Sequence, residues 1–517
     1  MALCGRAGFP LDDSFIHLQF ARNLFHDGQM AFNPGVPSGG CTAPLYAALV
    51  AAVYAIVRDW IAAGVVLGSL CGLATAWAVY GILLSWTGRR ALARWGGLLA
   101  VVVNPTIVAA GSGMETPVYT LLFLVGLWLY SLPRRRVAAS VALALCVWLR
   151  PEFLTLAPLI GLERYLALRG GHTRGWRAVG GELAAHAAIW AVIVLLYIGY
   201  NWHQDRHLLP TTFAAKAIAM QRLMPWAPKG LPAAIQNGSV LQMGLAVAVW
   251  PTLILLFSWV SLAVNCAPLG VRLREAVRVA WGNVSSAAPG RRLSILVLIS
   301  YPLLRGMVDP MSPFWYQFQR YYAHLTPLMI LVVLDALPAT RAVLSGRRWS
   351  WQGTSWSRQC RRTLWWAAPF LVIRGAMAVI AVSNINTMQV QIGRWVKAHT
   401  NPHDVIACND IGAISFYGQR RILDTVGLVE PPIVDHFLGG GSLEEYLAQR
   451  KPAYVIVFPT WYPGLAERED MLEPVLSVKL AFNVICGGPE MVVYRTRWAD
   501  ARNRTCPSIQ PTLAASG

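Results

Sequence analysis

The sequence predicts a polytopic α-helical membrane protein of about ten spans, followed by a C-terminal α/β domain. Three observations carry that prediction. The chain is 56% hydrophobic and only 13% charged, with a mean hydropathy of +0.46, where charged residues usually make up about a quarter of a soluble protein. Apolar runs of spanning length alternate with short polar loops from Trp60 to Ser383, and beyond Asn384 the pattern becomes that of a mixed globular domain. Residues 1–383 hold 32 basic and 12 acidic side chains, while residues 384–517 hold 12 and 13, so the net charge of +19 belongs to the membrane part and does not describe a nucleic-acid-binding surface. The nine cysteines include no CxxC pair and no His/Cys cluster at metal-ligand spacing, which argues against a zinc ribbon or a disulfide-built scaffold.

The expected spans are residues 60–86, 93–111, 115–131, 136–149, 153–168, 184–200, 238–264, 293–308, 323–338 and 364–383. The loops after the first, third, fifth, seventh and ninth carry arginine clusters: Arg89, Arg90 and Arg94; Arg134 to Arg136; Arg169, Arg174 and Arg177; five between Arg272 and Arg292; and six between Arg341 and Arg362. By the positive-inside rule these loops are cytoplasmic. The alternate loops and the domain after residue 384 then face outward. Residues 1–59 form an outer loop with juxtamembrane helices, 60–383 the transmembrane domain, and 384–517 an extracytoplasmic domain of a multi-pass protein of the cell membrane. Met1 to Leu11 contain no apolar run able to carry the first loop across, so parity calls for one further helix ahead of it. The apolar stretch Cys41 to Val57 must then enter and leave on the outer side without crossing.

The first loop reads LDDSFIHLQFARN from Leu11 to Asn23. Ile16, Phe20 and Leu24 recur every four residues, with His17, Arg22 and His26 among the polar positions, which predicts an amphipathic helix lying along the membrane surface. NPG at Asn33 to Gly35 and SGGCTAPL at Ser38 to Leu45 form a turn into the embedded helix. A carboxylate beside a membrane is costly unless it has work to do. Asp12 or Asp13 is a candidate general base that takes a proton from an acceptor hydroxyl; the alternative is an N-cap for the following helix. Consecutive residues do not share a helix face, so one Asp is expected to cap or orient and the uncapped one to react.

Other outer loops add charge. SGMET (Ser112 to Thr116) places Glu115, and WLRPEF (Trp148 to Phe153) places Arg150 and Glu152, at the mouths of spans; an ion pair from Arg150 to Glu115 or Glu152 is the structural reading. HLLPTTFAAK (His207 to Lys216) and YQFQRYY (Tyr316 to Tyr322) add Lys216 and Arg320, whose default role is snorkelling or contact with membrane lipids. Together Arg150, Lys216 and Arg320 could form an anion clamp suited to a phosphate. No glycine-rich phosphate loop occurs, so a nucleotide cofactor is not supported.

With these residues in order, the chain resembles the GT-C membrane glycosyltransferases that use polyprenyl-phosphate sugars, and within them the group around the actinobacterial enzyme that adds terminal arabinofuranose to arabinan. The likeness rests on DD with its helix and NPG at Asp12 to Gly35, SGMET, LRPE at Leu149 to Glu152, LLPTTFAAK at Leu208 to Lys216, QRYY at Gln319 to Tyr322 and LDTVGLVEP at Leu423 to Pro431. It implies an outward-facing active site in which Asp12 and Asp13 hold the catalytic carboxylate and Arg150, Lys216 and Arg320 hold the lipid phosphate, with Glu115, Glu152 and His17 in support. Two departures stand out: the helix that precedes the DD loop in the family, and a His two residues before the loop arginine in some relatives, where this chain has Phe318.

The implied reaction is a direct displacement with inversion. The acceptor hydroxyl of a cell-envelope glycan or glycolipid, deprotonated by Asp12 or Asp13, attacks the anomeric carbon opposite the phosphate, whose growing charge the basic residues stabilise. A divalent ion on the carboxylates would share that task. A transporter or flippase of a lipid-linked sugar is the competing class, but it would show related halves, and no repeat links the first five spans to the last five. A receptor would need a longer cytoplasmic segment than residues 265–292.

In the tail, QVQIGRWVKAHT is an expected helix, DVIAC (Asp404 to Cys408) and AYVIVF (Ala453 to Phe458) buried strands, and LEEYLAQR a helix entered through a capping box at Ser442 and Glu445. Asn409, Asp410, Trp461 and Tyr462 fall at strand ends, as turn residues or as contacts for an acceptor. Cys486 and Cys506 could bridge in an oxidising compartment.

Overall fold

The computed structural model describes residues 7–102, 108–132, 134–169, 175–215, 289–308, 320–345 and 356–498, with Ile218 and Gln317 besides. The chain divides into two compact units, one made of residues 42–203 and 226–378, the other of residues 1–41, 204–225 and 379–517.

The first unit is helical. Helix occurs at every expected span except 238–264, which lies outside the described residues. Three described helical runs, Trp60–Thr87, Trp176–Asp205 and Leu371–His399, are long and apolar enough to cross a membrane by length and composition. Trp60–Thr87 starts where the Asp59 carboxylate accepts the Ala62 N–H at 2.7 Å and stops at Gly88 with φ 65°. Its small residues let neighbours come close: a Cβ at Gly68 would meet the Ala110 carbonyl at 2.2 Å. The stretch expected to be embedded forms the helix Pro44–Val57, opened by proline at its first position and ended at Arg58 with φ 60°. Its 14 residues reach roughly 21 Å at 1.5 Å per residue, short of the hydrocarbon core.

The arginines expected as labels of topology also bind helices together. Glu163, fully buried, accepts from Tyr130 Oη at 2.5 Å, Arg164 Nε at 2.9 Å and Arg292 Nε at 2.8 Å. Glu182 takes Arg136 and Arg164, and Asp335 takes Arg291 at 2.6 Å. A buried carboxylate is tolerable when paired and hydrogen-bonded, and the Arg292–Glu163 pair joins helices that the sequence separates by more than 100 residues.

The second unit is built on a five-stranded sheet, β1 (Val405–Cys408), β2 (Arg421–Asp424), β3 (Tyr454–Val457), β4 (Leu472–Lys479) and β5 (Glu490–Thr496), in the order β2-β1-β3-β5-β4. β2, β1 and β3 run parallel; β5 and β4 are antiparallel. The expected strands are β1 and β3, buried along their runs, and the predicted capping box at Ser442 and Glu445 is present. On one face Ala407, Leu423, Val455 and Val457 pack on Ile433 and Val434 of the helix Pro431–Leu438 and on Leu443 and Leu447 of the helix Leu443–Arg450.

The N-terminal segment belongs to this unit, which corrects one expectation. The helix Asp13–Asp27 forms, but it does not offer a polar face to a surface: Ser14, His17, Gln19 and Asn23 are buried as well as Phe15, Leu18 and Phe20. It packs on the helix Gly412–Gly418, with Phe15 against Phe416 and Tyr417, and Arg22 donates to the Phe416 carbonyl at 2.8 Å. Its polar side chains serve backbone groups instead of water: Gln19 and Asn23 donate to the carbonyls of Phe32 and Ala31. The NPG asparagine acts like an added strand residue, because Asn33 accepts the Ile422 N–H and donates to the Ile422 carbonyl, both at 2.9 Å, on the edge strand β2.

Candidate functional site

The acid pair sits where the N-terminal segment meets the turn after β1. Asp12 starts its helix in αR geometry without capping it. Its carboxylate caps another helix 400 residues away, accepting the N–H of Gly412 at 2.7 Å and of Ala413 at 2.8 Å. A Cβ at Gly412 would stand 2.0 Å from the Asp12 carbonyl oxygen, so only glycine allows this approach. The expected cap of the following helix does not form; Asp12 caps the helix Gly412–Gly418 instead and is the oriented member of the pair. Asp13 lies half-buried in the first turn of its own helix, where the helix dipole favours its anion.

A third carboxyl joins them. Asp410 accepts Gln389 Nε2 at 2.8 Å, and Gln389, buried in a π-helical turn at Asn386–Val390, also accepts the Cys486 thiol at 3.5 Å. Burial raises the Asp12 carboxyl well above the ordinary range and Asp410 adds to it, against the pull of the Ala413 and Gly412 N–H groups; Asp13 adds further. Burial likewise pushes Asp410 up to about 6, opposed by Gln389 and reinforced by Asp13. The three carboxyls thus feel one another's charge, and Asp410 is a member that sequence reasoning placed only at a strand end. Both Asp12 oxygens are taken by N–H groups, and among the described residues no three His, Cys, Asp or Glu side chains converge as metal ligands. The donor set among the described residues does not fit a divalent ion. His17 is buried in the Asp13–Asp27 helix. Cys506 lies outside the described residues.

In the helical unit the predicted ion pairs form. Arg150 Nη2 meets Glu115 Oε1 at 2.6 Å and Arg150 Nη1 meets Glu152 Oε1 at 3.5 Å. Arg320 is buried beside them: its Nη2 donates to Tyr321 Oη at 2.7 Å, and its guanidinium lies 4.7 Å from the Tyr321 ring, against which Arg150 rests at 4.8 Å. Tyr119 Oη donates to the Arg320 carbonyl at 2.5 Å and fixes that turn. Arg150 and Arg320 are brought together on one aromatic ring, with two carboxylates in attendance. Lys216, the third basic candidate, and Phe318 lie outside the described residues. Tyr321 was missed as the organiser, although its place beside Arg320 in QRYY was the available signal.

A domain of unknown function (DUF8728) matches residues 382–500. No curated protein sequence matches the chain. Among solved structures it is similar to ArnT from Cupriavidus metallidurans in the apo state, at 12% identity and a TM-score of 0.52 over 94% of this chain and 93% of that one. It is also similar to the Archaeoglobus fulgidus oligosaccharyltransferase in the apo form, at 14% identity and a TM-score of 0.51 over 87% of this chain and 66% of that one. At such identities the likeness is one of fold. The chain shares its fold with these two structures over most of its length.

Proposed function

We propose that the protein is an integral membrane glycosyltransferase that moves a pentose or hexose from a polyprenyl-phosphate donor to a cell-envelope glycan or glycolipid on the outer face of the cell membrane, with the α/β domain outside. The observation that carries the assignment of residues is the capture of both Asp12 oxygens by the Gly412 and Ala413 N–H groups. It supports reading Asp12 as the residue that holds the loop and Asp13 as the base.

In this reading the Asp13 carboxylate takes the proton of the acceptor hydroxyl as that oxygen attacks the anomeric carbon; the carbon–oxygen bond to the lipid phosphate breaks on the opposite face, and the configuration inverts. The leaving group departs as an anion and needs no acid. Arg150, Arg320 and Lys216 hold the phosphate and stabilise the charge gathering on its bridging oxygen. Glu115 and Glu152 keep Arg150 oriented between turnovers.

The test uses the full chain in lipid nanodiscs with polyprenyl-phosphate arabinofuranose and mannose as donors and an envelope glycan extract as acceptor. Asp13→Asn is expected to lower kcat by about 10² to 10⁴, the usual worth of a general base, with KM for the donor little changed. Wild-type turnover in Asp13→Asn would sink the assignment.

A further inference from the structure

Buried polar groups in the sheet-bearing unit are matched with care: Asn23, Asn33, Asn384, Gln19, Gln389 and Asp424 all have partners within 3.1 Å. Two neighbours break that pattern. Asn409, the first residue after β1, is 4% exposed, and neither its Oδ1 nor its Nδ2 has a hydrogen-bond partner. Thr425, the first residue after β2, is 2% exposed, and its Oγ1 has none. They stand side by side, since Cys408 pairs with Asp424 in the parallel register and the Thr425 N–H donates to the Cys408 carbonyl at 3.1 Å. An unmet carboxamide and an unmet hydroxyl in an interior are destabilising, and a fold retains them only where something else fills them.

Their place in the topology agrees. β1 is flanked by β2 on one side and β3 on the other, both parallel to it, so the chain leaves β1 to one side and later returns to the other. The carboxyl ends of parallel strands at such a reversal are where open α/β sheets take ligands. The turn is also preformed. The Asp424 carboxylate accepts the N–H groups of Val426 and Val429, each at 2.9 Å, which fixes the loop that follows Thr425. The residues next to the pair, Asp410 and Val426, are half-buried, so the site lies one residue in from the surface.

The chemistry of the pair selects its ligand class. A carboxamide offers a donor and an acceptor side by side, and a hydroxyl offers both, which matches adjacent hydroxyls of a neutral sugar. An anion is disfavoured, because Asp410 and Asp424 adjoin the two residues and Cys408 between them already feels Asp424, Asp12 and Asp410. We infer that Asn409 and Thr425 form a subsite for a vicinal diol of the acceptor glycan. This deepens the glycosyltransferase reading and rests on it for the ligand's role, but not for its chemistry.

The experiment measures binding without any donor, so that it fails or succeeds apart from catalysis. Full-length protein in nanodiscs is titrated with a neutral arabinofuranose tetrasaccharide, a neutral mannose tetrasaccharide and inorganic phosphate, by saturation-transfer NMR. Wild type is expected to bind at least one tetrasaccharide saturably, and phosphate is expected not to displace it. Asn409→Leu and Thr425→Val should each weaken that binding tenfold or more while the thermal midpoint holds or rises, since an orphan polar group has been removed. Asp13→Asn should bind as wild type does, whatever its turnover. The inference is overturned if neither tetrasaccharide binds wild type, if phosphate competes with it, or if both variants bind normally while their midpoints fall, which would mean that a buried water held for the fold was the only occupant. If Asn409→Leu does not fold, Thr425→Val decides alone.

Discussion

Buried charge is met in two different ways in this chain. In the helical unit it is met by opposite charge: Arg150 by Glu115 and Glu152, Glu163 by Arg164 and Arg292, Asp335 by Arg291. In the sheet-bearing unit three aspartates are met by dipoles: Asp12 by the Gly412 and Ala413 N–H groups, Asp424 by those of Val426 and Val429, Asp410 by the Gln389 amide. The difference teaches what each can do in turn. An ion pair between helices has two partners, each of which becomes a liability when the other is lost. A carboxylate on backbone N–H groups has partners that no side-chain substitution removes, so it can sit beside other carboxylates, as Asp12 does beside Asp13 and Asp410.

The sharpest way to break the comparison is to remove one partner from each unit. Glu115→Ala leaves the Arg150 guanidinium, only 11% exposed, with Glu152 at 3.5 Å; the expected loss is about 3–5 kcal/mol of stability, read as the fall of the thermal midpoint in detergent. Asp12→Asn keeps one acceptor oxygen but turns an amide N–H₂ toward the second N–H, for an expected cost of about 1–3 kcal/mol. Equal losses in the two variants would erase the distinction between the two modes.

What the sequence disclosed follows the same division. Local patterns were legible: apolar runs gave the helices, β-branched runs gave β1 and β3, the Ser442 and Glu445 spacing gave a capping box, and the proximity of Arg150 to Glu152 suggested the pair that forms. Contacts across hundreds of residues were not. Nothing near Asp12 announces that its cap is Gly412, and Asn33 looks like an ordinary turn residue until the edge of β2 is beside it. The N-terminal helix misled for a related reason. Its polar positions have the spacing of a solvated face, yet Gln19 and Asn23 are spent on backbone carbonyls, which periodicity cannot distinguish from water. β2, RILD, has only Ile422 and Leu423 as an apolar run between two charged residues, so the parallel neighbour of β1 was also missed.

A pH series sharpens the dipole side of the comparison. Asp424 is fully buried, and burial lifts its carboxyl to about 6 although the Val429, Val426, Gly427 and Leu428 N–H groups pull it down. A folded-state value above the unfolded value of 3.8 means that the folded protein binds the proton more tightly. The group's contribution is therefore complete below pH 4 and is lost as pH rises through about 6. Between pH 7 and pH 5 the thermal midpoint should rise on account of this group, by about 1 kcal/mol in stability, and Asp424→Asn should remove that part of the slope. A midpoint that falls over this interval by the same amount in wild type and Asp424→Asn would show that the N–H groups, and not burial, set the balance at Asp424.

The smallest effect isolates the dipole contribution from burial altogether. Glu445 does at the surface what Asp12 does in the interior: its carboxylate accepts the Ser442 N–H at 2.9 Å while Ser442 Oγ accepts the Glu445 N–H at 3.1 Å, and its side chain is 64% exposed. Water competes for every one of these groups, so Ser442→Ala should cost only about 1 kcal/mol and Glu445→Ala less, seen as a shift of the midpoint at constant pH. The comparison with Asp12→Asn then measures what desolvation adds to the same carboxylate-to-amide contact. If the exposed cap proves as costly to lose as the buried one, the strength of the Asp12 clamp lies in helix capping alone, and burial contributes nothing to holding the acid pair in place.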